Sequence, residues 1–220
     1  MIEKPREMST FILRSGVLIL SFGIASEIVY QIYKRVNTKN KGKRRKFPKT
    51  EVLFFPDETV ACKSYFTDDY GCRNSNCRFT HEENSLSKLF TYLMSARTSI
   101  DICIFVITCS DLAELLIQSH KKGVVVRVVT DNEQVDVPGS QIWKLRKAGI
   151  PVRIDNSSFF MHHKFAIIDQ EHLMNGSFNW TQKAITGNQE NILITNNEDI
   201  VLPFISEFQK LWLKFDPNQN

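Results

Sequence analysis

The sequence predicts an α/β fold in which a mixed sheet is flanked by helices. Three observations point there. Short apolar, β-prone runs alternate with segments of helical spacing between positions 50 and 215. Glycines close two of the helical segments, at Gly123 and Gly149. The chain has 220 residues and 42% hydrophobic content, enough for one full core plus appendages.

Positions 51–55 form the first strand. Leu86, Leu89, Phe90 and Leu93 give positions 84–97 helical spacing, and the apolar run 100–107 is a strand. Ser110 is placed to cap a helix over 111–122 that Gly123 ends. Positions 124–130 are a buried strand, 139–148 a helix closed by Gly149, and 151–154 a short strand. Positions 165–168, 172–175 and 191–195 are strands, and 198–214 is the last helix, before a tail at 216–220.

The amino terminus differs from the rest. Positions 11–33 are apolar except for Arg14, Glu27 and Gln31, but the uncharged core, 15–26, is short against the roughly twenty residues of a membrane span. It can span if Arg14 and Glu27 sit near the interfaces, with Tyr30 and Tyr33 as an aromatic belt. A signal peptide is the rival, but the basic residues follow the apolar core and no small-x-small cleavage site is evident. Positions 34–49 carry many Lys and Arg and no acid, which predicts a single-pass anchor with its body in the cytosol. The net charge of +4 hides this asymmetry, because the remainder is net acidic. The basic run has three readings: topology signal, patch for anionic lipid headgroups, or arm for RNA phosphates.

Five cysteines are an odd number without a secreted disulfide pattern, so a reducing compartment is expected. Cys103 and Cys109 lie in or beside an apolar run and read as core packing. Cys62, Cys72, Cys77 and His81, spaced x9, x4 and x3, can meet the tetrahedral demand of zinc. Such a site fills all four positions with protein ligands and would be structural; the alternative is three free thiols in a loop.

The chemistry concentrates in positions 161–180. His162, Lys164 and Asp169 read as H-x-K-x4-D, and Gly176, Ser177 and Asn179 as G-S-x-N. On a strand, His162 and Lys164 leave the same face, while His163 points the other way. Asp169 has the opposite parity and reads as a structural partner for backbone or a cation. If the chain turns back after 170–171, Ser177 and Asn179 come alongside as donors. Imidazole as nucleophile, ammonium as fixed charge and two donors suit a phosphate. Glu190 is placed to orient His162 through its far nitrogen.

This pattern resembles the phospholipase D superfamily, whose signature is H-x-K-x4-D followed by G-S-x-N. The resemblance covers most of 50–215 and implies an α/β/α sandwich, with an acid after G-S-x-N, here Glu190, serving the histidine. A short amino-terminal anchor before one H-K-D copy is similar to the Zucchini group of that superfamily, the mitochondrial cardiolipin hydrolases. That likeness implies an outer mitochondrial membrane location and a CCCH-type insertion at 62–81. It also implies a homodimer, because one copy supplies only one active histidine and a second group must protonate the leaving oxygen. Two substrates follow from the same likeness: single-stranded RNA, cut in piRNA production, and cardiolipin, hydrolysed to phosphatidic acid. The alternative outside enzymology is an anchored scaffold that binds RNA or phospholipid through a degenerate pocket.

Overall fold

The computed structural model describes residues 50–155 and 157–218. The expected anchor at 11–33 and basic linker at 34–49 lie outside the described residues, among which no helix is long and apolar enough to cross a membrane.

Seven strands form one mixed sheet: β1 (Thr50–Phe55), β2 (Ser99–Ile104), β3 (Val125–Asp131), β4 (Val152–Asp155), β5 (Lys164–Ile168), β6 (His172–Gly176) and β7 (Glu190–Thr195). Their spatial order is β1-β7-β6-β5-β2-β3-β4. The pairs β2–β3 and β3–β4 are parallel, and all others are antiparallel. Three consequences fix the site. The parallel strands β2, β3 and β4 end at one edge of the sheet. Strand β5, antiparallel to β2, starts at that edge. Strand β6 then returns to it, and β7 departs from it.

The helices are α1 (Lys63–Thr67), α2 (Ser85–Met94), α3 (Ser110–Lys121), α4 (Ile142–Lys147), α5 (Gln182–Thr186) and α6 (Glu198–Lys214). The larger core packs α2, α3, α4 and α5 on one sheet face, through residues such as Leu89, Leu116, Leu145 and Ile185. A second core on the opposite face joins Phe165, Ile167 and Leu173 to Val201, Phe208 and Leu211 of α6. This is a helix–sheet–helix arrangement, and each buried strand feeds both cores by alternation. Cys103 and Cys109 are buried in these cores.

Local chemistry explains the helix ends. Asn84 accepts from Ser87 N at 2.9 Å, the Ser87 hydroxyl answers to Asn84 N, and Asp57 takes the amides of Ser85 and Leu86. Gly123 and Gly149 follow α3 and α4 with φ of 90° and 89°, left-handed values that glycine adopts without strain. Ser110 is the first residue inside α3 rather than its cap; Cys109 holds the cap position with no side-chain hydrogen bond. The helix expected from Gly139 starts only at Ile142, because Gly139 has φ of 83°. Two short helices, α1 and α5, lie in segments too brief for periodicity to reveal.

Candidate active site

His162 and Lys164 stand where the chain enters β5. Their backbone is fixed from two neighbours. The buried Asp131 carboxylate, at the end of β3, accepts from Met161 N at 2.9 Å, and Phe105 N donates to His163 O at 3.0 Å. The His162 ring is exposed and packs edge-on to Phe105, with centroids 4.6 Å apart. Lys164 Nζ donates to His162 O at 2.8 Å and lies over the Phe105 ring, 5.2 Å from its centroid. Burial pulls the Lys164 pKa below the ordinary lysine value, and the Glu190 charge opposes that fall. His163 faces α6, 4.0 Å from Glu207, where burial lowers its pKa despite the carboxylate.

Strand β6 delivers the second half of the motif to the same edge. A Cβ on Gly176 would lie 1.9 Å from Asn191 O, so the glycine is required by the close approach of β7. The Ser177 hydroxyl accepts from Asn191 N at 3.1 Å and donates to Glu190. Asn179 is followed by the buried Trp180, whose carbonyl accepts from Thr108 N and Cys109 N and whose amide donates to Val106 O. Asn179 Oδ1 is buried and has no hydrogen-bond partner among the described residues.

One expectation is corrected, and one is met. Glu190 does not meet the His162 imidazole within this chain; its carboxylate takes the Ser177 hydroxyl and Asn188 Nδ2, the latter at 3.0 Å. The register explains it, because Gly176 pairs with Ile192 and so sets Ser177 beside the start of β7. Asp169 is not at this edge at all. It sits beyond the far end of β5 in the hairpin turn, with φ of 54°, and its carboxylate accepts from Arg97 N, Thr98 N, Thr98 Oγ1 and Ser99 N at 2.7–3.1 Å. It is a partner for backbone, as its strand parity requires. Phe105 and Asp131 are site residues that motif reading missed. The only signal for Asp131 was an acid ending an apolar strand, and Phe105 looked like any member of its apolar run.

All five histidines are among the described residues, and none offers a second imidazole beside His162. His81 belongs to the cysteine cluster, His120 packs against Gly149, His163 faces α6 and His172 opens β6 at the opposite edge.

Cys62, Cys72, Cys77 and His81 bring one ligand atom each to within 4.8 Å of one another. Zinc–sulfur bonds of about 2.3 Å place tetrahedral ligands roughly 3.8 Å apart, so the cluster fits a metal ion after small contraction. The donor chemistry agrees. A hydrogen bond from the Phe79 backbone, aided by His81 and the neighbouring thiols, lowers Cys77 to about 7, while burial pushes Cys62 up to about 11. Cys77 is therefore the readier of the two to ionise near neutral pH, and a bound cation would draw out the other thiolates. The Tyr65 ring stacks on His81 at 4.3 Å.

The family described as "Cardiolipin synthase, PLD-like domain" matches residues 89–212, from α2 through the H-x-K-x4-D and G-S-x-N motifs into α6. A "Mitochondrial cardiolipin hydrolase" of Chlamydomonas reinhardtii is 45% identical over 165 residues, spanning 75% of this chain and 74% of that protein. One of Homo sapiens is 42% identical over 182 residues, spanning 80% and 72%. Among solved structures, "a phospholipase D family member, NUC from Salmonella typhimurium" superposes with a TM-score of 0.58 at 26% identity, covering 76% of this chain and 95% of that one.

Proposed function

This chain belongs to the phospholipase D-like family and is a phosphodiester hydrolase, and on that premise we propose that it works through a phosphohistidine intermediate in a homodimer anchored to the outer mitochondrial membrane. One observation carries the reading: His162, Lys164, Ser177, Asn179 and Glu190, drawn from three strand ends and their loops, converge on one edge of the sheet.

The chemistry has two steps. A nitrogen of His162 attacks phosphorus and a P–N bond forms as the P–O bond to the leaving alcohol breaks. The partner subunit's His162 gives its proton to that departing oxygen. The same imidazole then takes a proton from water, whose oxygen attacks phosphorus and releases His162. Lys164 and the Asn179 amide stabilise the charged phosphoryl oxygens, and these fixed groups do not need to reorganise during the reaction. Glu190 acts through Ser177, and its charge opposes the fall that burial imposes on the Lys164 pKa. Cys62, Cys72, Cys77 and His81 would hold a zinc ion, and four protein ligands would give it a structural role.

Cardiolipin is the favoured substrate, because the relatives that match most of the chain carry the name cardiolipin hydrolase. Phosphatidic acid is then the product retained in the membrane. Single-stranded RNA is the second reading, favoured by the exposed and half-buried polar groups Ser157, Asn188 and Asn191 around the site. The test supplies the full chain in detergent with cardiolipin vesicles and, separately, end-labelled single-stranded RNA, both with a chelator present. Phosphatidic acid release supports the lipid reading, and RNA fragments with 5′ phosphates support the nuclease reading. Loss of neither activity in His162→Asn contradicts the nucleophile assignment.

A further inference from the structure

His162 has to present a ring nitrogen in line with phosphorus, yet within one chain its side chain is exposed and the Glu190 carboxylate is taken by Ser177 and Asn188. An exposed imidazole with no fixed partner samples several rotamers, and each wrong one is unproductive. The structure offers one rigid neighbour. The Phe105 ring meets His162 at a centroid distance of 4.6 Å and an interplanar angle of 60°, in a T-shaped contact. The same ring carries the Lys164 ammonium above it at 5.2 Å. Phe160 packs against it at 5.9 Å.

Phe105 is itself held. Its amide donates to His163 O at 3.0 Å and its carbonyl accepts from the fully buried Thr130 hydroxyl, also at 3.0 Å. One side chain thus touches both His162 and Lys164 while its backbone is tied to the entry of β5 and to β3.

We propose that Phe105 is a positioning residue for the hydrolysis. Its ring sets the rotamer of His162 and seats the Lys164 ammonium. The proposal rests on the phosphodiesterase reading but is separable from it. A ring, rather than apolar bulk, is what the geometry uses, so Phe105→Leu and Phe105→Tyr divide the possibilities.

The experiment measures hydrolysis of bis(p-nitrophenyl) phosphate by the full chain, with melting curves as a folding control. Phe105→Leu is expected to lower kcat about tenfold to 100-fold, with KM within about twofold. Phe105→Tyr is expected to restore most of kcat. Equal kcat in Phe105→Leu and the parent overturns the proposal, and so does an equal loss in both variants when both melt like the parent. A readout independent of turnover is the His162 ring-proton resonance, identified by its absence in His162→Asn. Phe105→Leu should abolish its ring-current displacement and Phe105→Tyr should keep it; an unmoved resonance in Phe105→Leu overturns the proposal even if the parent does not hydrolyse the probe.

Discussion

At one end of β5, His162 is exposed at the rim with an aromatic neighbour and no carboxylate on its ring, whereas at the other end the Asp169 carboxylate is surrounded by three backbone amides and a hydroxyl. Both residues belong to the same H-x-K-x4-D motif. The strand between them, Lys164–Ile168, is five residues long, so the x4 gap measures the width of the sheet. The histidine end is left free for chemistry. The aspartate end pins the β5–β6 hairpin to the start of β2, and Asp169 suits that turn because its short polar side chain tolerates a left-handed backbone.

Substitutions should separate the two ends, beginning with the largest effect. His162→Asn should reduce turnover of bis(p-nitrophenyl) phosphate by about 1000-fold or more, while the melting temperature stays within about 2 °C of the parent, because the exposed ring belongs to neither core. A large drop in melting temperature would dissolve the contrast. Lys164→Ala should cost about 100-fold in kcat by removing the fixed charge on the phosphoryl oxygens, with thermal unfolding again serving as the control.

Gly176→Ala probes the site's frame instead of its chemistry. The added carbon would meet Asn191 O at 1.9 Å, so β7 must move; denaturant unfolding should show a loss of about 3 kcal/mol. Asp169→Ala should destabilise by about 1–3 kcal/mol, since several backbone amides lose their acceptor, yet kcat of the folded fraction should stay within about twofold. A kcat loss comparable to that of Lys164→Ala would contradict a purely structural Asp169.

The smallest effect concerns the cysteine cluster. In chelator, alkylation of Cys77 should rise through a midpoint near pH 7, where its thiolate forms, whereas Cys62 should stay unreactive until far more alkaline pH. Mass spectrometry of alkylated peptides across a pH series measures both. Coincident profiles would contradict the assigned hydrogen bond from the Phe79 backbone.

The local parts of this molecule are legible in the sequence and the long-range parts are not. Helix α6 has the bounds that its periodicity predicts, and the other strands and long helices shift at their ends by a few residues. The parity of a strand is enough to separate His162 and Lys164 from His163 and to turn Asp169 away from them, while the choice between backbone and a cation as its partner comes from the structure. By contrast, the strand order sets β2 beside β5 although α3, β3, α4 and β4 intervene in sequence. Only that neighbourhood brings Phe105 under His162, through the pairing of Ile104 with Lys164. The partner of Glu190 is not legible for the same reason: the residues that a β7 side chain meets depend on its register with β6, and spacing alone does not determine register.

A single chain presents one suitable imidazole at the site, and the proposed reaction uses two. Sedimentation velocity of the full chain in detergent, run over the concentrations at which turnover is measured, tests this most directly. Activity per chain should rise in proportion to the fraction of dimer and vanish with the monomer. A monomer with full activity per chain would contradict the shared site.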